Sequence, residues 1–209
     1  MTYLAVFDID GTLHQTHEMS MQAYQIVMPK LGLPVPSLKA LFNTFGCTAN
    51  EITRILQIPE NLHAQFWKLM DTEEVRQIPL CAKCYEGVID ALFRLHKANI
   101  AVALCSMCSP AYMEAFVDAF GLSSIVQLRR NESDGTEKAA LLSEILKASR
   151  ATKAVMVGDR VFDFAAAREN GIKSIGCLYG YAPEEAALAD EQIYRSTDLY
   201  DAVCRVLLD

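Results

Sequence analysis

The sequence lacks a long hydrophobic run and has few of the residues that mark fibrous proteins. Its longest clean apolar stretches, such as Ile100–Cys105, are far shorter than the roughly 20 residues that span a membrane. Ten glycines and seven prolines are spread through 209 residues, which excludes a collagen-like or low-complexity chain. The 19 basic residues are outnumbered by 26 acidic ones, and the resulting charge of −7 argues against an electrostatic nucleic-acid binder.

The N-terminal residues also lack the basic and long apolar regions of a secretory signal. The seven cysteines are odd in number, and a chain of this length can build a core without disulfides. We therefore expect a cytoplasmic protein with free thiols that binds neither nucleic acid nor membranes. No sequence pattern predicts its oligomeric state.

Short apolar runs, typical of buried strands, recur along the chain and alternate with helical patterns. The expected strands are Tyr3–Phe7, Ile100–Cys105 and residues 124–128, 154–157 and 174–178. The expected helices of this region cover residues 86–97, 110–120, 136–150 and 161–170. This alternation predicts an α/β fold, a doubly wound Rossmann-like parallel sheet with crossover helices.

The stretch between the first two expected strands, residues 15–80, has several helical patterns and no strand-like run. Thr48 and Glu51 form a capping-box pattern at the start of one of these helices. We expect residues 1–14 and 81–209 to form the α/β core, and residues 15–80 to form an inserted, all-helical domain.

Two aspartates follow the first expected strand, in the string FDIDGTL at residues 7–13. In an open α/β sheet, this edge is where ligands bind. Asp8 at the strand tip can act as a nucleophile, and Asp10 in the following turn can donate a proton to the leaving group. Gly11 allows the backbone to turn sharply beside the reacting group. We interpret the string as a catalytic pair rather than as two solvated carboxylates.

A second acidic string, VGDRVFD at residues 157–163, also follows an apolar run and opens a helix. Asp159 would stand beside Asp8 if their strands are neighbours. Converging carboxylates repel each other unless a cation lies between them, and oxygen-only ligands favour Mg²⁺. Asp163 would then hold the metal or its ligands in place, although an acid in the first turn of a helix also suits the helix dipole.

Ser106 and Lys138 are candidate ligands for an anion. Ser106 follows the second expected strand, just before a helix start at Ser109 and Pro110, where a hydroxyl and free amides can bind an anion. Lys138 lies at the opening of the helix expected over residues 136–150 and opposes the helix dipole there. A buried anionic partner would explain that position better than a surface role.

In order and spacing, these four features resemble the motifs of the haloacid dehalogenase-like hydrolase superfamily, over nearly the whole chain. The matching positions are residues 8–12, Ser106, Lys138 and residues 158–163. The helical insertion resembles the C1 cap of that family, and the chain is most similar to its phosphoglycolate phosphatase branch. The loop GCLYGY at residues 176–181, followed by PEE at residues 183–185, is also similar to that branch.

The resemblance implies a Mg²⁺-dependent phosphatase that acts on a small phosphorylated metabolite, such as phosphoglycolate. Asp8 would attack phosphorus to form an aspartyl phosphate, while Asp10 would protonate the leaving alkoxide and then activate water. The implied metal ligands are Asp8, the main-chain carbonyl of Asp10, Asp159 and, in support, Asp163. The implied phosphate-binding residues are Gly11, Thr12, Ser106 and Lys138.

The chain departs from the family pattern shortly after the first motif. Many relatives carry an acidic residue where this chain has Gln15, flanked by His14 and His17. We expect the two histidines to be polar hinge residues, with a contact to substrate or to the cap as the alternative. The residues chosen as substrate contacts in the cap, by position alone, are Asn43, Thr44, Phe45 and Thr48.

Other functions stay open at this point. A phosphohexose mutase or a catalytically silent phosphoprotein-binding member of the superfamily would share the same core, whereas Asp10 argues against dehalogenation. A zinc-binding, non-enzymatic module would use two CxxC pairs, Cys81 with Cys84 and Cys105 with Cys108. We favour free thiols, because Cys105 ends a buried strand and Cys108 precedes a helix start.

Overall fold

A six-stranded parallel sheet lies at the centre of the computed structural model, which describes residues 2–45 and 47–208. The strands are β1 (Tyr3–Phe7), β2 (Ile100–Cys105), β3 (Val126–Arg130), β4 (Lys153–Gly158), β5 (Lys173–Cys177) and β6 (Glu191–Ile193). Their spatial order is β3-β2-β1-β4-β5-β6, with every neighbouring pair parallel. The first strand therefore lies inside the sheet, between β2 and β4.

Helices cover both faces of this sheet. The α-helices of the described residues are α1 (Thr16–Lys30), α2 (Leu38–Phe42), α3 (Ala49–Ile55), α4 (His63–Cys81), α5 (Val88–Lys97), α6 (Pro110–Ala119), α7 (Lys138–Ser149), α8 (Val161–Glu169), α9 (Pro183–Ala186) and α10 (Leu199–Leu208). Leu92, Phe116 and Val203 of α5, α6 and α10 pack on one face, and Leu142 and Ala167 of α7 and α8 pack on the other. This arrangement confirms the doubly wound α/β fold. Across residues 2–45 and 47–208, no helix is long and apolar enough to span a membrane.

The sequence of β1 explains its central position. Leu4 and Val6 are buried in the cluster beneath α7 and α8, whereas Ala5 and Phe7 are buried in the cluster beneath α5 and α6. A strand covered on both faces needs a continuous apolar run instead of alternating polar residues. The run ends at the carboxyl edge of the sheet, where Asp8 follows.

Between β1 and α5 the chain forms helices α1 to α4, and its described residues contain no strand. Buried side chains including Tyr24, Phe66 and Met70 form a hydrophobic cluster of their own, apart from the two clusters on the sheet. The predicted capping box is present at the start of α3. The Thr48 amide donates to Glu51 Oε2 over 2.8 Å, and the Glu51 amide donates to Thr48 Oγ1 over 3.4 Å.

The structure corrects the predicted sheet at one of its edges. Strand β3 begins at Val126 rather than at residue 124, because the Ile125 and Val126 amides donate to the Leu122 carbonyl in a turn after α6. The strand runs on to Arg130, and its polar residues suit an edge position that an apolar criterion misses. The short edge strand β6 was missed for the same kind of reason, since its three residues carry no apolar run.

Candidate active site

Strand register places three candidate residues beside each other at the carboxyl edge of the sheet. The last residue of β1 pairs with Leu104 of β2 and with Val157 of β4. Asp8, Ser106 and Asp159 therefore each follow the end of one of three neighbouring strands. The Asp8 amide donates to the Val157 carbonyl over 2.9 Å, which extends the β1 to β4 pairing into the site.

Three carboxylates gather at this edge. One oxygen each from Asp8, Asp159 and Asp163 lies within 4.8 Å of the others, and all three residues are buried. Asp163 comes from the first turn of α8, where its Oδ2 accepts a hydrogen bond of 3.1 Å from the Arg160 amide. Helix α8 thus aims a carboxylate back toward the strands that carry the other two.

Lys138 contacts two of these carboxylates. Its Nζ atom lies 2.6 Å from Asp8 Oδ1 and 2.5 Å from Asp163 Oδ1. Burial disfavours the charged ammonium, but Asp163 and Asp8 outweigh burial and raise the pKa of Lys138 well above its usual range. A lysine at the first position of α7 is therefore stabilised by buried anions, although it opposes the helix dipole.

The electrostatics of Asp8 and Asp159 fit a divalent cation. Burial raises the pKa of Asp8 to about 7, even though Lys138 lowers it. Burial, with Asp8 and Asp163, also raises the pKa of Asp159 well above its usual range. Asp159 Oδ2 accepts a 2.7 Å hydrogen bond from the Tyr181 amide, whereas its buried Oδ1 has no hydrogen-bond partner among the described residues. A cation beside Oδ1 would satisfy that oxygen, and an all-carboxylate donor set suits a hard ion.

Asp10 is half-buried and accepts two hydrogen bonds on one oxygen. Thr16 Oγ1 donates to Asp10 Oδ1 over 2.5 Å, and Tyr112 Oη donates to the same atom over 2.9 Å. Neither donor was predicted from the sequence. Tyr112 lies 102 residues away in α6, so only the fold brings it to Asp10.

The other predicted phosphate-binding residues lie near the carboxylates but differ in backbone conformation and in hydrogen bonding. Gly11 adopts φ +77°, and a Cβ there would overlap the Asp159 carboxylate. The Thr12 side chain is fully buried, and its Oγ1 has no hydrogen-bond partner within the described chain. Ser106 is buried, and its amide donates to the Arg130 carbonyl over 3.1 Å, so this amide is not one of the free amides expected there. The phosphate-binding role of these residues stays a prediction.

The loop after β5 connects the carboxylates to the helical region. Besides its amide bond to Asp159, Tyr181 stacks its ring on Phe45, with ring centroids 4.3 Å apart. Its Oη accepts a 2.9 Å hydrogen bond from the His17 amide. The sequence of this loop resembles the family but predicts no role for Tyr181, because the contacts with Phe45 and His17 span more than 130 residues of sequence.

The two histidines differ from each other and, in one case, from expectation. His14 is fully buried, with its ring packed on Phe116 and Phe120 at centroid distances of 5.5 and 6.5 Å. The expectation of a polar hinge residue is therefore wrong for His14, because the tight turn after β1 directs its ring into the core. His17 remains partly exposed beside Tyr181.

The residues chosen by position as substrate contacts have distinct surroundings. Thr44 is buried, and its hydroxyl donates to the Leu41 carbonyl over 2.6 Å. Thr48 is the N-cap of α3, and Phe45 stacks on Tyr181. Asn43 is exposed. Contact of these residues with a substrate stays a prediction.

The cysteines do not form the alternative zinc site. All seven are free, and among the described residues no group of three or more metal-ligand side chains includes a cysteine. Burial raises the pKa of Cys84 and of Cys105 to about 12, so both side chains are neutral thiols near pH 7. Burial also raises the pKa of Cys81 and Cys108. The alternative hypothesis that the two CxxC pairs form a zinc site is therefore wrong.

Comparison with known proteins gives concordant matches. The model of a family described as haloacid dehalogenase-like hydrolase matches residues 5–177. A phosphoglycolate phosphatase from Agrobacterium fabrum is 25% identical over 85% of this chain and 81% of its own length. A 5'-nucleotidase from Pseudomonas aeruginosa is 24% identical over 93% of this chain and 90% of its own length. The crystal structure of a protein described as a predicted phosphoglycolate phosphatase, from Haemophilus somnus, superposes with a TM-score of 0.87 at 18% identity, covering 96% of this chain and 97% of that one.

Proposed function

Because the chain belongs to the haloacid dehalogenase-like hydrolase family, we propose that it is a Mg²⁺-dependent phosphatase of small phosphomonoesters. As a phosphoric monoester hydrolase of the phosphoglycolate phosphatase-like branch, it would act through an aspartyl phosphate on Asp8. The observation that carries the proposal is the convergence of three buried carboxylates at the carboxyl edge of the sheet, two of which, Asp8 and Asp163, pair with Lys138.

Asp8 is the nucleophile in this proposal. Its position at the tip of a central strand supports this role, since the backbone pairing with β4 holds it in place. Lys138 fixes Oδ1 through an ion pair, and the other oxygen is the one that attacks phosphorus. Attack breaks the bond between phosphorus and the leaving oxygen and transfers the phosphoryl group to Asp8.

Asp10 is the general acid and base. Asp10 gives a proton to the departing alkoxide in the first half-reaction and removes one from water in the second, which returns Asp8 to a free carboxylate. The hydrogen bonds from Thr16 and Tyr112 support this assignment, because they hold the Asp10 carboxyl at the edge of the site.

The metal would be held by Asp8, by the main-chain carbonyl of Asp10 and by Asp159, with Asp163 in support. The unpartnered Oδ1 of Asp159 supports this ligand set. Bound Mg²⁺ would neutralise the carboxylates and the negative phosphoryl group. The ion pair of Asp163 with Lys138 indicates that Asp163 mainly positions the lysine. Lys138 and the hydroxyl of Ser106 would bind the phosphoryl oxygens and stabilise charge in the transition state.

Residues 15–80 serve as the cap over the site, in this proposal, and residues 1–14 with 81–209 as the core. The contacts of Tyr181 with Phe45 and His17 support a cap that packs directly against the loop after β5. In this loop, the Tyr181 amide donates a hydrogen bond to Asp159. A cap that opens admits water for the second half-reaction and, when closed, limits water during the first.

The test is release of inorganic phosphate from p-nitrophenyl phosphate and from a panel of phosphorylated metabolites, with and without Mg²⁺. We expect release to require Mg²⁺ and to fall by at least about 10³-fold in Asp8→Asn. Asp90→Asn is a matched control, because Asp90 is a solvent-exposed aspartate of α5. Undiminished release by Asp8→Asn would contradict the proposal, and isomerised sugar phosphate without released phosphate would indicate a mutase.

A further inference from the structure

His14 is buried at an unexpected cost. Its exposure is 0%, and its Nε2 atom has no hydrogen-bond partner among the described residues. The ring lies against Phe116 and Phe120, where an aliphatic side chain would fill the same space without burying a polar nitrogen. Burial lowers the pKa of His14 to about 4, so the imidazole is neutral near pH 7. The reason for a buried histidine at this position must therefore lie with its other nitrogen, Nδ1.

Nδ1 of His14 lies in a chain of hydrogen bonds that ends on Asp10. It is 2.8 Å from Tyr112 Oη, and that hydroxyl donates its single proton to Asp10 Oδ1. Since Tyr112 has no second proton, Nδ1 must carry the hydrogen that it shares with Oη. This network assigns the Nδ1–H tautomer, which leaves a lone pair, and not an N–H group, on the unpartnered Nε2.

Two local structures hold this chain of hydrogen bonds in register. In the turn after β1, the His14 amide donates to the Ile9 carbonyl and the Gly11 amide donates to the His14 carbonyl, over 2.9 and 3.0 Å. At the start of α6, the predicted N-cap Ser109 accepts a 3.1 Å hydrogen bond from the Tyr112 amide. The turn that carries Asp10 thus also fixes His14, and the helix start that follows Ser106 fixes Tyr112.

We propose that His14 and Tyr112 are positioning residues for Asp10, which hold Oδ1 through a buried relay of hydrogen bonds and leave Oδ2 to exchange the proton. This inference rests on the proposed function, in which Asp10 is the general acid and base. Oδ1 already accepts from Tyr112 and Thr16, whereas no described residue hydrogen bonds to Oδ2. The relay persists in both half-reactions, because the proton given to the leaving oxygen and later taken from water resides on Oδ2.

The relay predicts that the loss of kcat/KM in a variant depends on the leaving group. A general acid matters most when the leaving group is a poor one, since an alkoxide needs a proton and a nitrophenolate departs without one. Loss of Asp10 positioning should therefore lower kcat/KM for an alkyl phosphate and spare kcat/KM for p-nitrophenyl phosphate. General damage to the fold or to the metal site would lower both values together.

The experiment compares Tyr112→Phe, His14→Leu and His14→Asn on p-nitrophenyl phosphate and on an alkyl phosphate that the wild-type protein hydrolyses. We expect Tyr112→Phe and His14→Leu to lower kcat/KM for the alkyl ester by about 10-fold or more, with an aryl-ester value within about 3-fold of wild type. His14→Asn should recover much of the loss, because its amide can donate from near the position of Nδ1. Tyr24→Phe, which removes another buried tyrosine hydroxyl, is the matched control.

A double variant keeps the test decisive if His14→Leu folds poorly. In an Asp10→Ala background, Tyr112→Phe should cause no further loss on the alkyl ester, because the hydroxyl then has no carboxylate to position. Equal losses on both esters, no loss on either, or full additivity with Asp10→Ala would overturn the inference. These outcomes are distinct from failure of the proposed function, which would appear as phosphatase activity that survives Asp8→Asn.

Discussion

At the scale of single residues, the candidate site is defined by buried charges that are paired with each other. Asp8 and Lys138 each retain a charged partner at 2.6 Å, and an isolated charge at either position would be strongly destabilising. Replacing one member of the pair by a neutral residue is therefore expected to lower the free energy of unfolding more than replacing both members. The sequence suggested this in part, since a lysine at the first position of a helix needs an explanation, but it did not reveal that Asp163 shares the ammonium with Asp8.

Glu74 in α4 provides a test of the same physics outside the carboxylate group. Its Oε1 accepts a 2.8 Å hydrogen bond from Ser20, and burial raises its pKa to about 7. The folded protein therefore holds a proton that the unfolded chain releases near pH 4.5. The contribution of Glu74 to stability is complete below that pH and is lost as pH rises toward 7.

We predict that Glu74→Gln weakens the decline in the free energy of unfolding between about pH 4.5 and 7. Relative to wild type, the variant should gain up to about 3 kcal/mol on moving from pH 4 to pH 8, measured by urea unfolding of the metal-free protein. Glu73→Gln is the control with the opposite sign, because the hydrogen bond from Arg76 lowers the pKa of Glu73. A Glu74→Gln profile parallel to that of wild type would contradict this account.

At the scale of elements, the sequence predicted β1, β2 and the helix start at Ser109 because each has a strong local cause. A buried central strand requires an apolar run, and an N-cap requires a side-chain acceptor. The polar edge strand β3 and the three-residue β6 lack such a cause and depend on their neighbours for pairing. Contacts such as Tyr112 to Asp10 depend on how helices cross the sheet, which no local pattern encodes.

The loop after β5 is an element whose backbone must approach the site closely. A Cβ on Gly180 would overlap Asp159 and would lie 2.6 Å from the Gly11 carbonyl oxygen. Either the loop or Asp159 would have to move, and the 2.7 Å bond from the Tyr181 amide to Asp159 would be lost with it.

We therefore predict that Gly180→Ala weakens Mg²⁺ binding by at least about 10-fold and costs about 1–3 kcal/mol of stability, measured by calorimetry and urea unfolding. Gly135→Ala is the matched control, since its Cβ would meet only the flexible end of Leu141 at 3.3 Å. Wild-type affinity in Gly180→Ala would show that the close approach has no bearing on the metal.

At the scale of the whole molecule, the doubly wound sheet brings together residues that follow β1 and β4 with residues of α7 and α8, and these are up to 155 positions apart, as Asp8 and Asp163 are. The motifs predicted which residues converge, but the energetic consequence of gathering them follows only from their burial. Without a metal ion, the charge of Asp8 adds to burial in raising the pKa of Asp159.

A ligand that binds only the folded state stabilises the whole molecule by mass action. We predict that Mg²⁺ at 100 times its dissociation constant raises the free energy of unfolding by about 2.7 kcal/mol, seen as a higher Tm. Asp159→Asn should abolish this gain, whereas Asp90→Asn should retain it because Asp90 is exposed. An equal Mg²⁺ effect in both variants would mean that the ion binds elsewhere.

The most direct measurement is the location of the phosphoryl group during turnover. Acid quenching of the Mg²⁺-loaded enzyme with a radiolabelled phosphomonoester, followed by peptide mapping, should find an acid-stable, alkali-labile acyl phosphate on Asp8 and none in Asp8→Asn. Label on another residue, or a complete absence of label while the substrate is being consumed, would contradict the account.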